Sequence, residues 1–154
     1  MSRILPLLFL ALFVASCGPS ADPALQSKIN SYFGKSSSKS YSGGAFKPMP
    51  LAVGQYVVYG TTAEGKRSIL RQSIVGKESG GWIIESHSIS ESNESISQML
   101  VTGLDQARES YNPDAIDIVW VKTREGNGEV QTVEGPVLSI TKGLYRKALV
   151  NFAM

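Results

Sequence analysis

Short runs of β-forming residues separated by closely spaced turn signals dominate the chain from Leu51 onward. The pairs Glu64-Gly65, Gly80-Gly81 and Asn127-Gly128 each lie between runs that are rich in β-branched and aromatic residues. Asn-Gly in particular is a strong signal for a two-residue hairpin turn. Parallel strands need a crossover of a dozen or more residues, and connections this short do not provide one. The spacing therefore predicts an antiparallel meander.

The predicted strands account for most of the region after Leu51. They comprise 55–59, 67–75, 82–90, 115–123 and the run that follows Asn127-Gly128. Residues 94–108 are ambiguous, because their apolar positions fit both a helical stripe and strand alternation. Gly103 inside such a helix would cost about 1 kcal/mol relative to alanine. We therefore favour a strand near 95–102, followed by a turn or short helix through Arg108.

The segment 22–33 has the features of a short amphipathic helix. Asp22 is suited to accept backbone N–H bonds as an N-cap, and Pro23 suits the first helical position. Leu25, Ile29 and Phe33 recur at four-residue spacing. Isolated helices of this length are marginal. The helix could dock on the domain, fray or lie on a membrane, and we favour the first two over the third.

The C-terminal segment is also helical in pattern, with two adjacent apolar rows. One row is Val137, Ile140, Leu144 and Ala148, and the other is Leu138, Tyr145, Leu149 and Phe152. A broad apolar face of this kind normally covers a sheet. The predicted fold class is β-rich α+β: an antiparallel meander of about six strands, left open or incompletely closed into a barrel, with a C-terminal covering helix and a short N-terminal helix.

The first sixteen residues, MSRILPLLFLALFVAS, have the features of a secretory signal peptide. Arg3 supplies the positive charge, and the apolar core over 4–14 is about eleven residues long. A membrane-spanning helix needs roughly twenty. We therefore assign 1–16 as a leader that is removed from the mature protein.

The only cysteine of the chain, Cys17, directly follows that leader. Val14-Ala15-Ser16-Cys17 resembles the lipobox of bacterial lipoproteins. The resemblance implies cleavage between Ser16 and Cys17, a diacylglyceryl thioether on Cys17 and a further acyl chain on its amino group. At about 0.8 kcal/mol for each buried CH₂, two or three chains give durable anchoring. A structural cysteine is the alternative.

Gly18, rather than aspartate, follows the cysteine. By resemblance to the sorting of enterobacterial lipoproteins, this favours the outer membrane with the domain facing the periplasm, over the inner membrane or the cell surface. Residues 34–50 are rich in Ser, Gly, Lys and Pro and predict a flexible tether. The chain then divides into a leader (1–16), a lipid anchor with helix and tether (17–50) and a β-rich domain (51–154).

Little in the sequence points to catalysis or to a bound metal. The single histidine, His87, lies between Ser86 and Ser88, but no G-x-S-x-G elbow is present. No H-E-x-x-H or C-x-x-C spacing occurs, and the aspartates do not match a calcium loop. The net charge of +2, of which Arg3 contributes one, is too small to indicate nucleic-acid binding. We predict a non-enzymatic protein without a cofactor or a metal.

Aromatic residues in the predicted strands leave two functions open. If they face inward they form the core, which is the preferred interpretation. In an incompletely closed sheet, Trp82, Trp120, Met99 and Tyr145 would line a cavity for a hydrophobic envelope molecule. The anchored β-rich architecture resembles the half-open barrels of envelope lipoproteins of the lipoprotein-carrier (Lol) type, which implies such a ligand. The alternative is a module that binds another envelope protein and has no small-molecule ligand.

Overall fold

The computed structural model describes residues 21–33, 50–110 and 112–153. Its six strands form one antiparallel sheet in the order β1-β2-β3-β4-β5-β6, so that each strand pairs with the next in the chain. The predicted meander with its two helices is confirmed, and the sheet is not closed into a barrel. The predicted leader, Ser16, Cys17 and the tether up to residue 49 lie outside the described residues.

Each predicted strand is present, but β1 extends four residues beyond the predicted 55–59, β2 extends three beyond 67–75, and β5 lies two residues later than 115–123. The strands are β1 (Tyr56–Ala63), β2 (Lys66–Glu78), β3 (Gly81–Ser90), β4 (Glu94–Thr102), β5 (Asp117–Glu125) and β6 (Gln131–Val133). The helices are α1 (Pro23–Phe33), α2 (Leu104–Ser110) and α3 (Gly135–Ala153), with a single 3₁₀ turn at Pro113–Ala115. The ambiguous segment is thus a strand followed by a short helix, as favoured from the cost of Gly103 in a helix.

Tight turns fix the register of the first two hairpins. Glu64 and Gly65 both have positive φ, 52° and 76°, and Ser79 and Gly80 have 48° and 76°. Two successive positive φ angles are the geometry of a type I′ turn, whose twist matches that of the flanking strands. Because the side-chain period of a strand is two, this register decides which residues reach each face of the sheet.

One face of the sheet carries the main core, which α2 and α3 cover. Ile84, Met99 and Val121 are neighbours across β3, β4 and β5 on this face. The buried members of the main core are Ile74, Trp82, Ile84, Met99, Val101, Leu104, Ala107, Ile116, Ile118, Val121, Leu138 and Leu149. Gly103 links β4 to α2 with φ 70°, and a Cβ there would overlap the carbonyl oxygen of Ala115. This connection therefore requires glycine.

The opposite face of the sheet carries α1. Ile89 lies five positions from Ile84 on β3, so the two side chains lie on opposite faces. Leu25 and Ile29 of α1 are buried against Ile69 and Ile89; these four side chains are called the α1 cluster below. The backbone N–H of Ala24 donates to Asp22 Oδ1 at 2.8 Å, which confirms the predicted N-cap. Of the alternatives for α1, the structure has the docked one.

The expectation that both apolar rows of α3 cover the sheet is wrong. Leu138 and Leu149 are buried in the main core and Tyr145 packs against it. Val137, Ile140 and Leu144 are instead 59%, 83% and 71% exposed. At roughly 100° per residue, the nine positions from Ile140 to Leu149 turn the helix to its opposite side, so one flat sheet cannot cover both rows. The side chains of Ala148 and Phe152 are not among those described.

Candidate functional site

The structure brings together three of the four residues predicted to line a cavity. Trp82 and Met99 are buried in the main core, and Tyr145 packs against it. Trp120 pairs with Leu100, which lies next to Met99 along β4 and therefore on the other face. The sheet thus separates Trp120 from the other three. Trp82, Met99 and Tyr145 belong to a packed interior. The preferred interpretation, that the strand aromatics form the core, is thus confirmed for Trp82 but is wrong for Tyr56 and Tyr59, which are 63% and 42% exposed.

Trp82 connects β3 to α2. Its indole Nε1 donates a hydrogen bond of 2.9 Å to Asp105 Oδ2. The ammonium of Lys77 lies 4.5 Å from the centroid of the ring, within the range of a cation–π contact. A buried indole normally needs a partner for its single donor, and here that partner is a carboxylate of α2. Trp82 therefore has a structural role.

Trp120 lies beside a shallow depression on the face that carries α1. The ammonium of Lys122 is 4.9 Å from the ring centroid of Trp120. The depression holds about 370 Å³ and is lined by Glu85, Ile96, Gln98, Lys122, Thr123, Arg124 and Val130. Glu85 accepts a hydrogen bond of 2.8 Å from Gln98 Nε2. Five of the seven side chains that line the depression are polar or charged, and Ile96 and Val130 are the two apolar ones, which is typical of a solvated sheet surface.

The single histidine takes part in a polar network that holds α1 on the sheet. His87 Nε2 lies 2.7 Å from Glu94 Oε1, and Lys28 of α1 donates to Glu94 Oε2 at 2.7 Å. The hydrogen bond from Lys28, and next the one from His87, hold the pKa of Glu94 below its usual value. Ser86 and Ser88 are adjacent to His87 along β3 and therefore lie on the other face. This geometry does not assemble a serine–histidine pair.

The three aspartates that do not match a calcium loop in the sequence each have a side-chain partner in the structure. Asp105 accepts from Trp82, and Asp117 Oδ1 lies 2.8 Å from Lys142 Nζ of α3. The hydrogen bond from Lys142 lowers the pKa of Asp117. Asp114 pairs with Arg146 at 3.5 Å. Within the described residues no group of three or more His, Cys, Asp or Glu side chains is placed to hold a metal ion.

Cations of the β2 region lie over aromatic rings and do not form a basic patch. Arg67 is 5.1 Å from the centroid of Phe33 on α1, and Arg71 is 4.8 Å from that of Tyr56 on β1. Such contacts contribute roughly 0.5–1 kcal/mol at exposed sites. These side chains therefore fasten neighbouring elements to each other, and their charges are spread over the sheet.

The outer side of α3 is the surface that best fits a binding role. Val137, Ile140 and Leu144 are called the outer seam of α3; they follow each other at spacings of three and four residues, as the a and d positions of a heptad do. The next position of that series is Lys147, which is exposed. Lys142 and Arg146 pair with Asp117 and Asp114 near the sheet, whereas Lys147 has no ion pair within the described residues.

Sequence reasoning missed the outer seam, although a signal for it was present. The two apolar rows of α3 together span about half of the helix circumference, which is wider than the stripe that a helix usually buries against one sheet face. A surplus of this kind indicates a second apolar contact. The choice of which row is left outside depends on the rotation of α3 about its axis, and periodicity alone does not specify that rotation.

Two further findings bear on function. None of the helices in the described residues is long and apolar enough to cross a membrane. Comparison of the chain with family models, with curated proteins and with solved structures found no match.

Proposed function

We propose that this chain is a non-enzymatic lipoprotein, anchored in the outer membrane through Cys17, whose β-rich domain binds another protein of the cell envelope. The observation that supports this function is the outer seam of α3, a row of three large aliphatic side chains in contact with solvent. Exposed apolar rows with polar borders are typical of protein interfaces. The competing function, capture of a hydrophobic molecule between sheet and helix, loses support because Trp82 and Met99 lie in a packed core.

The partner that fits this seam is an amphipathic helix. The a/d spacing of Val137, Ile140 and Leu144 allows the side chains of a second helix to pack between them. Lys147 continues the seam without an ion pair within the described residues. A partner helix would therefore present an apolar row that ends in an acidic residue. Complementary charge at that end would fix the direction and register of the pair.

The proposed lipid anchor makes a small seam sufficient. Three exposed aliphatic residues amount to less than a standard interface of about 1,200–2,000 Å². Asp22, the N-cap of α1, lies five residues after Cys17, and five residues span at most about 18 Å. The domain would thus stay close to the bilayer, where confinement raises the effective concentration of an envelope partner.

Intact mass tests the anchor. Protein extracted from its own membrane is expected to begin at Cys17 and to carry two or three acyl chains. The Cys17→Ala variant should be neither lipidated nor held in the membrane. An unmodified cysteine in the mature chain would contradict the lipid anchor. It would not bear on the binding role of the outer seam of α3, which is tested separately.

Photocrosslinking tests the interaction surface. A photoreactive residue at position 140 of the full-length protein should form a discrete adduct with a second protein in intact envelopes. The adduct should weaken several-fold in a Val137→Gln, Leu144→Gln background and in Lys147→Glu. The matched control is the same photoreactive residue at Glu109, an exposed position on α2 that lies on neither the outer seam nor the edge of the sheet. Equal adducts at both positions, or adducts only with lipid, would contradict a protein-binding seam.

A further inference from the structure

The first strand of the sheet has one free edge. β1 is the end strand of the order, and among the described residues only β2 pairs with it. It is eight residues long, and six of these eight residues are exposed. Alternate backbone N–H and C=O groups along the outer edge of such a strand are available to a further strand.

β1 has none of the features that usually protect a sheet edge. Natural edge strands are kept short, carry charges or proline, or are interrupted by bulges. The sequence of β1, YVVYGTTA, contains neither a charged residue nor proline, and its ladder with β2 runs from Tyr56 to Ala63 without a register shift. The other edge strand, β6, has three residues and is followed directly by Glu134. Only β6 fits the pattern of a protected edge.

We propose that β1 is a dimerisation edge, at which two copies of this chain pair antiparallel about a two-fold axis. The two sheets would then form one continuous sheet of twelve strands. An edge without charged side chains is self-complementary, because no like charges are brought face to face across the axis. Valine, threonine and tyrosine are also the residue types that stabilise cross-strand pairs. This surface is distinct from the outer seam of α3, so the inference does not depend on that seam.

The symmetry of this dimer is compatible with a membrane anchor on both copies. A two-fold axis perpendicular to the sheet keeps corresponding faces of the two copies on the same side. α1 packs on the face opposite the main core, through Leu25 and Ile29. Both copies of α1, which begins six residues after Cys17, would therefore lie on the same side of the twelve-strand sheet. Two lipid anchors can then enter one bilayer.

Pairing of a single edge gives a weak dimer. Eight residues on each side bury less than a standard protein interface. We therefore expect a monomer–dimer equilibrium that shifts to the dimer as protein density on a membrane increases. The same reasoning predicts mostly monomer for dilute protein that lacks the lipid.

Distances between spin labels test the pairing directly. The full-length protein, with lipidation of Cys17 verified by mass, is labelled at Thr61→Cys on β1 and reconstituted into vesicles. A short inter-label distance should appear and should grow in population as the protein-to-lipid ratio rises. The matched control is Thr132→Cys on β6. Strands lie about 4.8 Å apart, so labels on the two distant edges of a twelve-strand sheet would be roughly 50 Å from each other.

Two variants of opposite charge at one position of β1 separate loss of pairing from loss of folding. Tyr59→Lys and Tyr59→Glu, each alone, should lose most of the short-distance population. If the pairing is centred on Tyr59, the like charges of the two copies lie directly opposite each other; if it is centred on Gly60, they lie two residues apart. An equal mixture of the two variants should restore that population, which a folding defect would not allow. The proposal is overturned if the labelled protein with Tyr59 unchanged gives no short distance at any protein-to-lipid ratio. That result is expected if another part of the same chain covers β1. Short distances that persist in both single variants would likewise overturn the proposal.

Discussion

The two long helices of this domain pack on opposite faces of one sheet and are held there by apolar clusters of different size. α3 contributes Leu138 and Leu149 to the main core, which has twelve buried side chains. α1 contributes Leu25 and Ile29 to the α1 cluster, which has four. Both helices also make polar contacts: on α3, Lys142 pairs with Asp117 and Arg146 pairs with Asp114. Lys28 reaches Glu94, and Arg67 donates to Asn30 Oδ1 at 3.1 Å.

This difference indicates that α1 can be released without loss of the sheet. Burial of one large aliphatic side chain contributes about 1.5–3 kcal/mol, so the larger cluster contributes most of the folding free energy. Undocking of α1 exposes only the smaller cluster, so its free energy is lower than that of global unfolding and lies in the range of local opening reactions. Exposed ion pairs add about 0–1 kcal/mol each and depend on salt and pH. The main core therefore governs global unfolding, and the α1 cluster governs docking of one helix.

The largest effect is expected from truncation in the main core. Ile84 is 0% exposed and pairs with Ile74 and Met99 across the sheet. Ile84→Ala should lower the free energy of unfolding by about 2–5 kcal/mol, through lost burial and the cavity that remains. Urea unfolding monitored by tryptophan fluorescence measures this, with exposed Val119→Ala as the control. A loss below about 1 kcal/mol would show that this cluster does not govern global stability.

A smaller and more local effect is expected in the α1 cluster. Ile29→Ala should cost about 1–2 kcal/mol, less than the usual core truncation, because undocking of α1 limits the loss. Hydrogen exchange should become faster in the α1 amides and stay unchanged in β3 and β4. Ser27→Ala, on the exposed side of α1, is the matched control. Faster exchange throughout the sheet would show instead that α1 folds as one unit with the main core.

Local signals explain why the architecture could be predicted from the sequence. Glu64-Gly65 forms the turn of the first hairpin, and Asp22-Pro23 starts α1, through short-range backbone chemistry. Gly103 separated strand from helix in the ambiguous segment. Each of these features depends on residues that are adjacent in the sequence, so it can be recognised without knowledge of the tertiary structure. The predicted two-residue turn at Asn127-Gly128 is wrong: five residues, 126–130, connect β5 to β6, and Gly126 rather than Asn127 has positive φ.

Placement of side chains across elements could not be predicted in the same way. Trp82 and Trp120 looked equivalent as strand aromatics, but the register of β3 to β5 puts them on opposite faces. A register shift between Leu100 and Val101, where β4 pairs with β5, makes simple alternation unreliable there. The contact between His87 and Glu94 crosses the β3–β4 turn, and the exposed row of α3 depends on how that helix is rotated. Each of these depends on tertiary geometry that periodicity does not specify.

Acidification should weaken α1 more than the main core. Lys28 and His87 lower the pKa of Glu94 in the folded protein, so this carboxylate stabilises the docked helix at pH values above its unfolded pKa, near 4.5. That contribution is lost as the pH falls from about 4.5 through the lowered pKa. Hydrogen exchange of α1, corrected for intrinsic rates, should therefore accelerate in this window. Glu94→Gln should flatten the dependence, and an unchanged profile in this variant would assign it to another group.

The smallest effect on stability is expected at the outer seam of α3, and here the two sides of one helix provide the comparison. Ile140→Gln should change the free energy of unfolding by no more than about 0.5 kcal/mol, because its side chain is already in water and glutamine is a good helix former. Leu138→Gln, two positions earlier and buried in the main core, should cost several times as much. Urea unfolding of the two variants side by side measures this difference. If Ile140→Gln destabilises the domain as much as Leu138→Gln, the seam is covered within the folded chain itself and is not available to a partner helix.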